Sequence, residues 1–172
     1  CLKKGDVRVE GERLNESNMG ASETQLCRSD PRRAELIMRA RPYEAHAAVL
    51  FRPCDALAES IAYQQLSGKA AATIWGRVRA LYPKRKWLDP KLVLATPDEK
   101  LRAAGLSGSK TAALKDLAAK SIEGVVPSAR ALAKMSDDEI IERLTSVRGI
   151  GRWTVEMLLL FDMGRPDVWP VT

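Results

Sequence analysis

From Pro31 onward almost every apolar residue of the 172-residue chain recurs at three- or four-residue spacing, in short runs closed by a proline, a glycine or a capping side chain. Period-two alternation is nearly absent, which excludes sandwiches and barrels and predicts an all-α fold with short connections. Asp55 is expected to cap a helix carrying Leu57, Ile61 and Gln64/Gln65, interrupted at Ser67-Gly68. A second helix follows with Ile74, Val78 and Leu81 on one stripe and Pro83 closing it. Thr96-Pro97-Asp98-Glu99 reads as a helix start with Thr96 as the cap, stopped by Gly105. Ser107 or Ser109 opens the next helix, which carries Ala113, Leu114, Leu117, Ala118 and Ile122. Ser136 and Glu139 have the spacing of a capping box ahead of Ile140, Ile141, Leu144 and Val147. Two helices over 140–147 and 152–163, joined by a hairpin at 148–151, complete the expectation.

Residues 1–30 hold no sustained period and are expected to be a poorly ordered leader, leaving 31–172 as the helical domain. Nowhere does the chain approach the roughly 20 consecutive apolar residues of a spanning helix, so no membrane partner is expected. Cys1, Cys27 and Cys54 are odd in number and widely spaced, which favours reduced thiols over a disulfide framework, and the single His46 excludes a multi-histidine metal cage. Net charge is +6, yet residues 69–115 alone carry eleven basic and three acidic side chains. Charge so concentrated favours a polyanion such as nucleic acid, although a solvated basic surface would look the same.

The turn Arg148-Gly149-Ile150-Gly151 stands between two helices. Its glycines allow positive φ and close backbone approach, while Ile150 is free to tuck between the helices. Amides exposed at the start of the second helix make an anion site, with room for a phosphate to reach them. A tight helical hairpin that binds nothing uses the same residues.

The stretch Leu144-x-x-Val147-x-Gly149-Ile150-Gly151-Arg152-Trp153-Thr154 resembles the helix-hairpin-helix of the DNA glycosylase superfamily whose hallmarks are that hairpin, a Gly/Pro-rich loop and a catalytic aspartate. Residues 61–78, IAYQQLSGKAAATIWGRV, and 101–118, LRAAGLSGSKTAALKDLA, resemble the preceding elements of its 3-methyladenine DNA glycosylase II (AlkA-like) branch, in the same order. The resemblance implies a helix-hairpin-helix glycosylase fold in which Gly149, Ile150, Gly151 and Arg152 contact a DNA phosphate. It further implies that the backbone carbonyls of Thr145, Arg148 and Ile150 hold a monovalent cation, with no other cofactor. Gln65, flanked by Gln64 and Leu66, matches the wedge that fills the gap left by an extruded nucleotide. Trp153 stands where the lyase branch keeps its Schiff-base lysine, and with Met157 it is expected to wall the base pocket, an electron-rich face for a cationic alkylated purine.

The family's aspartate lies three places after a proline; counted from Pro170, it falls one residue past Thr172, and Asp162 and Asp167 are out of register. The expectation is therefore a C-terminally truncated glycosylase, inactive as it stands, with its catalytic acid outside the chain. The reading is a monofunctional, monomeric base-excision enzyme acting on alkylated purines in damaged duplex DNA, inside the cell: the cytoplasm of a prokaryote or the nucleus of a eukaryote. The alternatives are a noncatalytic DNA-binding hairpin module and a glycosylase for an oxidised purine.

Overall fold

The computed structural model describes residues 21–39, 51–165 and 168–170, divided between two compact units, Cys1–Glu44 and Ala45–Thr172. In the first, α1 (Ala21–Ser29) and α2 (Pro31–Arg39) pack on one another. A helix thus occupies the end of the stretch read as a leader, where Ala21, Glu23, Gln25 and Leu26 are good helix formers. Residues 1–20, with Cys1, and residues 40–50, with His46, lie outside the described residues.

The second unit runs through α3 (Pro53–Tyr63), α4 (Gly68–Ala80), α5 (Pro90–Ala95), α6 (Asp98–Ala103), α7 (Gly108–Ile122), α8 (Ala129–Leu132), α9 (Asp137–Thr145) and α10 (Arg152–Met157). A π-helical turn, Leu158–Asp162, continues α10. No strand occurs among the described residues, and no helix among them is long and apolar enough to cross a membrane. α7 packs against α3, α5 and α6. Leu57, Ile61, Val78, Leu101, Leu117, Leu132, Ile140, Leu144, Val155 and Leu159 join in one buried cluster. Each such side chain contributes roughly 1.5–3 kcal/mol by leaving water.

The capping signals divide between success and correction. Ser107 and Ser136 both cap as read, the latter in a full capping box with Glu139. Asp55 does not cap α3, because Pro53 starts the helix two residues earlier. Its buried carboxylate instead accepts from the Leu88 amide at 2.9 Å and from Arg79 at 3.2 Å. Thr96 is the C-cap of α5, its hydroxyl donating to the Leu92 carbonyl and bonding Tyr82, and Pro97 takes the N-cap of α6. Leu81 and Ile122, read as core, are exposed because each lies at the end of its helix.

Candidate nucleic-acid interface

α9 ends at Thr145, whose hydroxyl donates back to the Ile141 carbonyl at 2.7 Å. Ser146 continues the turn, and the Val147 and Ile150 amides donate to Leu144 and Val147 at 3.1 Å each. Gly149 adopts φ +77, and a Cβ there would stand 3.1 Å from the Ala113 methyl of α7. Gly151 does not share that conformation: as N-cap of α10 it has φ −92, and a Cβ built on it meets nothing within 4 Å. Positive φ is therefore a requirement at Gly149 alone, whereas Gly151 faces open space.

The amides of Gly149, Gly151, Arg152 and Trp153 find no acceptor among the described residues. That of Ile150 is committed to Val147, and the Ile150 side chain is buried, so this residue offers an anion no donor, contrary to its place in the expected phosphate set. Arg152 Nε donates to Glu156 Oε1, one turn along α10, at 2.8 Å, while the Arg152 side chain stays exposed. Glu156 itself is buried, and its Oε2 has no partner among the described residues.

α7 anchors the hairpin from behind. Asp116 Oδ2 accepts from the Arg148 amide at 2.7 Å and from Lys120 Nζ at 2.9 Å. Lys120 also donates to the Ser146 carbonyl. Burial works to raise the Asp116 carboxyl pKa, but the Arg148 amide and Lys120 outweigh it and hold the group below the usual aspartate value. Neither Asp116 nor Lys120 was identifiable from sequence as part of the site, because their partners lie 26 to 32 residues away. Only their own i, i+4 spacing was visible.

The residues expected to form the wedge occupy the connection between α3 and α4. Gln64 and Gln65, expected to extend the helix, leave it: Gln64 has φ −50 and ψ 132 as the C-cap, and Gln65 has φ 58. Gln65 and Leu66 are exposed. The Gln64 side chain is engaged, its Nε2 donating to the Gly149 carbonyl at 2.9 Å, so this turn and the hairpin are joined directly.

Trp153, in the first turn of α10, is 51% exposed and so is not a core tryptophan. Met157, one turn on, is half-buried, and Phe161 follows, exposed. Asp162 lies in the π-helical turn, a distortion frequent at functional sites. Burial first, and then the Glu59 carboxylate of α3, push its pKa up; Asp167 lies outside the described residues. Among the described residues no three His, Cys, Asp or Glu side chains gather as metal ligands. The carbonyls of Thr145, Arg148 and Ile150 accept no hydrogen bond among those residues, unlike that of Gly149.

Residues 58–172 match the family model of the HhH-GPD superfamily base excision DNA repair protein. The chain is similar to DNA-3-methyladenine glycosylase 1 of Schizosaccharomyces pombe, 40% identical over 69% of this chain and 52% of that protein. It thus spans about half the length of that relative. Its fold superposes on a 3-methyladenine DNA glycosylase from the same yeast in complex with abasic DNA, with TM-score 0.77 and 34% identity over 88% of this chain and 74% of that one. A DNA-3-methyladenine glycosidase from Bacillus halodurans gives TM-score 0.75 and 32% identity over 87% of this chain and 68% of that one.

Proposed function

The chain belongs to the HhH-GPD superfamily of base excision DNA repair proteins, and on that footing we propose that it is a DNA N-glycosylase releasing alkylated purines of the 3-methyladenine type from duplex DNA. The names of the yeast and Bacillus halodurans relatives support the substrate class. The observation that carries the reading is the set of amides at Gly149, Gly151, Arg152 and Trp153 that find no acceptor among the described residues, in a hairpin tied through Gln64 to the turn that carries Gln65. Those amides and the Arg152 guanidinium grip a phosphate of the lesion strand, and Gln65 with Leu66 fills the vacated stack. The carbonyls of Thr145, Arg148 and Ile150, which accept no hydrogen bond among the described residues, would hold a monovalent cation, whose charge would favour a nearby phosphate. The protein works as a monomer where the DNA is, in prokaryotic cytoplasm or the eukaryotic nucleus.

The extruded purine stacks on Trp153 beside Met157, and its positive charge is drawn to the indole face. Alkylation makes the base a good leaving group, so the glycosidic bond breaks toward an oxocarbenium-like sugar, and water adds at C1′ while its proton leaves. Asp162 is not assigned as the stabilising carboxylate, since it precedes the proline segment and is out of register with the family's aspartate. The test is incubation of the full-length protein with a duplex containing 3-methyladenine. Free methylated base and an uncut strand with an alkali-labile site are expected, with no borohydride-trapped adduct on abasic DNA because Trp153 offers no amine. Tight duplex binding without base release would leave a noncatalytic module instead.

A further inference from the structure

The connection between α3 and α4 is a type II β-turn. The Leu66 amide donates to the Tyr63 carbonyl at 3.3 Å. Gln64 at φ −50, ψ 132, followed by Gln65 at φ 58, supplies the matching dihedrals. The third position of such a turn ordinarily holds Gly or Asn, which tolerate the left-handed region; a glutamine there needs something to hold it. Type I and type II turns differ in which way the central peptide faces. Here the central carbonyl belongs to Gln64, and it accepts a 2.7 Å hydrogen bond from Lys110 Nζ, near the start of α7.

Lys110 makes a second bond at 2.8 Å, to the Ala62 carbonyl in the last turn of α3. An ammonium at a helix C-terminus meets the carbonyls that the helix leaves unpaired. Burial works against it, lowering the Lys110 pKa. The same helix carries Ala113, against which Gly149 packs, and Asp116, which holds the Arg148 amide.

We infer that Lys110 is a positioning residue for the wedge: by holding the Gln64 carbonyl it selects the type II turn and keeps Gln65 in its left-handed conformation, side chain exposed, before DNA arrives. The inference rests on the glycosylase reading, in which Gln65 enters the stack. Preorganisation spares the complex the ordering of this turn on binding. α7 becomes the common mount of both DNA-facing turns, so hairpin and wedge meet the duplex in fixed register.

The experiment uses a duplex with an abasic-site analogue opposite 2-aminopurine, whose emission reports how the orphaned base is stacked, read at saturating protein. The wild-type protein is expected to change the emission, and Gln65→Ala to abolish the change. Lys110→Met, unable to donate, should reduce it about tenfold, as the loss of two charge-assisted bonds allows. Lys134→Met removes the same charge from an exposed lysine outside the basic stretch 69–115, and it should keep the wild-type change. Should Lys110→Met not fold, Lys110→Leu, likewise without a donor, carries the same expectation. A wild-type response from the Lys110 variants, with Gln65→Ala silent, overturns this inference alone. No response from the wild type overturns the wedge reading and this inference together.

Discussion

At Gly149 the backbone passes through φ +77 with the Ala113 methyl 3.1 Å from where a Cβ would stand. Gly149→Ala therefore combines a left-handed penalty with crowding and should destabilise by about 1–2 kcal/mol. Thermal unfolding would register this as a fall in Tm of several degrees. Gly151 carries neither constraint, and Gly151→Ala gives up only its preference as N-cap of α10, so Tm should fall by less than for Gly149→Ala, the larger loss appearing when DNA is bound. Asp116 adds a pH dependence. Its folded pKa lies below the unfolded aspartate value of about 3.9, so the stability it contributes is fully present above that value and is lost as pH falls through the lower folded pKa. The Arg148 amide resonance, followed by NMR during acidification, should move in that range, and Asp116→Ala should abolish the movement.

Among the elements, the turn between α3 and α4 trades stability for shape. Gln65→Gly removes the strain of φ 58 and should raise stability by up to about 1 kcal/mol, while weakening preference for abasic over intact duplex. A calorimetric scan paired with a binding titration checks both halves; a variant both less stable and equally selective would contradict the role of the turn. The longer helices were legible because their signals are local: Ser136 and Glu139 face each other across one turn, and Leu114 and Leu117 repeat on one stripe. α5 and α8 were not anticipated, for six and four residues hold too few apolar positions to display a period. Thr96 misled because a hydroxyl next to a proline suits the end of one short helix as well as the start of the next. Gln64 and Gln65 looked helical by spacing, and the bonds that this turn makes with Lys110 and the Gly149 carbonyl, 46 to 85 positions away, leave no mark in that spacing.

For the whole molecule, the all-α class and the hairpin followed from pattern and resemblance, but the arrangement that joins hairpin to wedge did not. It depends on α7, whose Lys110, Asp116 and Lys120 reach residues 26 to 48 positions distant. No periodicity encodes such distances. The concentration of cations in residues 69–115 predicts binding governed by backbone charge rather than base sequence. Neutralising three phosphates would weaken affinity about fortyfold between roughly 50 and 200 mM salt, a slope that titration at several salt concentrations measures directly. The central claim, that acceptor-free amides at the hairpin seat a DNA phosphate, is tested most directly by titrating an abasic-site duplex with wild type and Gly151→Ala, their Tm values measured alongside. The account predicts a Tm lowered by no more than a few degrees and an affinity lower by about tenfold for the variant, because a methyl group enters the open space that Gly151 faces; wild-type affinity for the folded variant would contradict it.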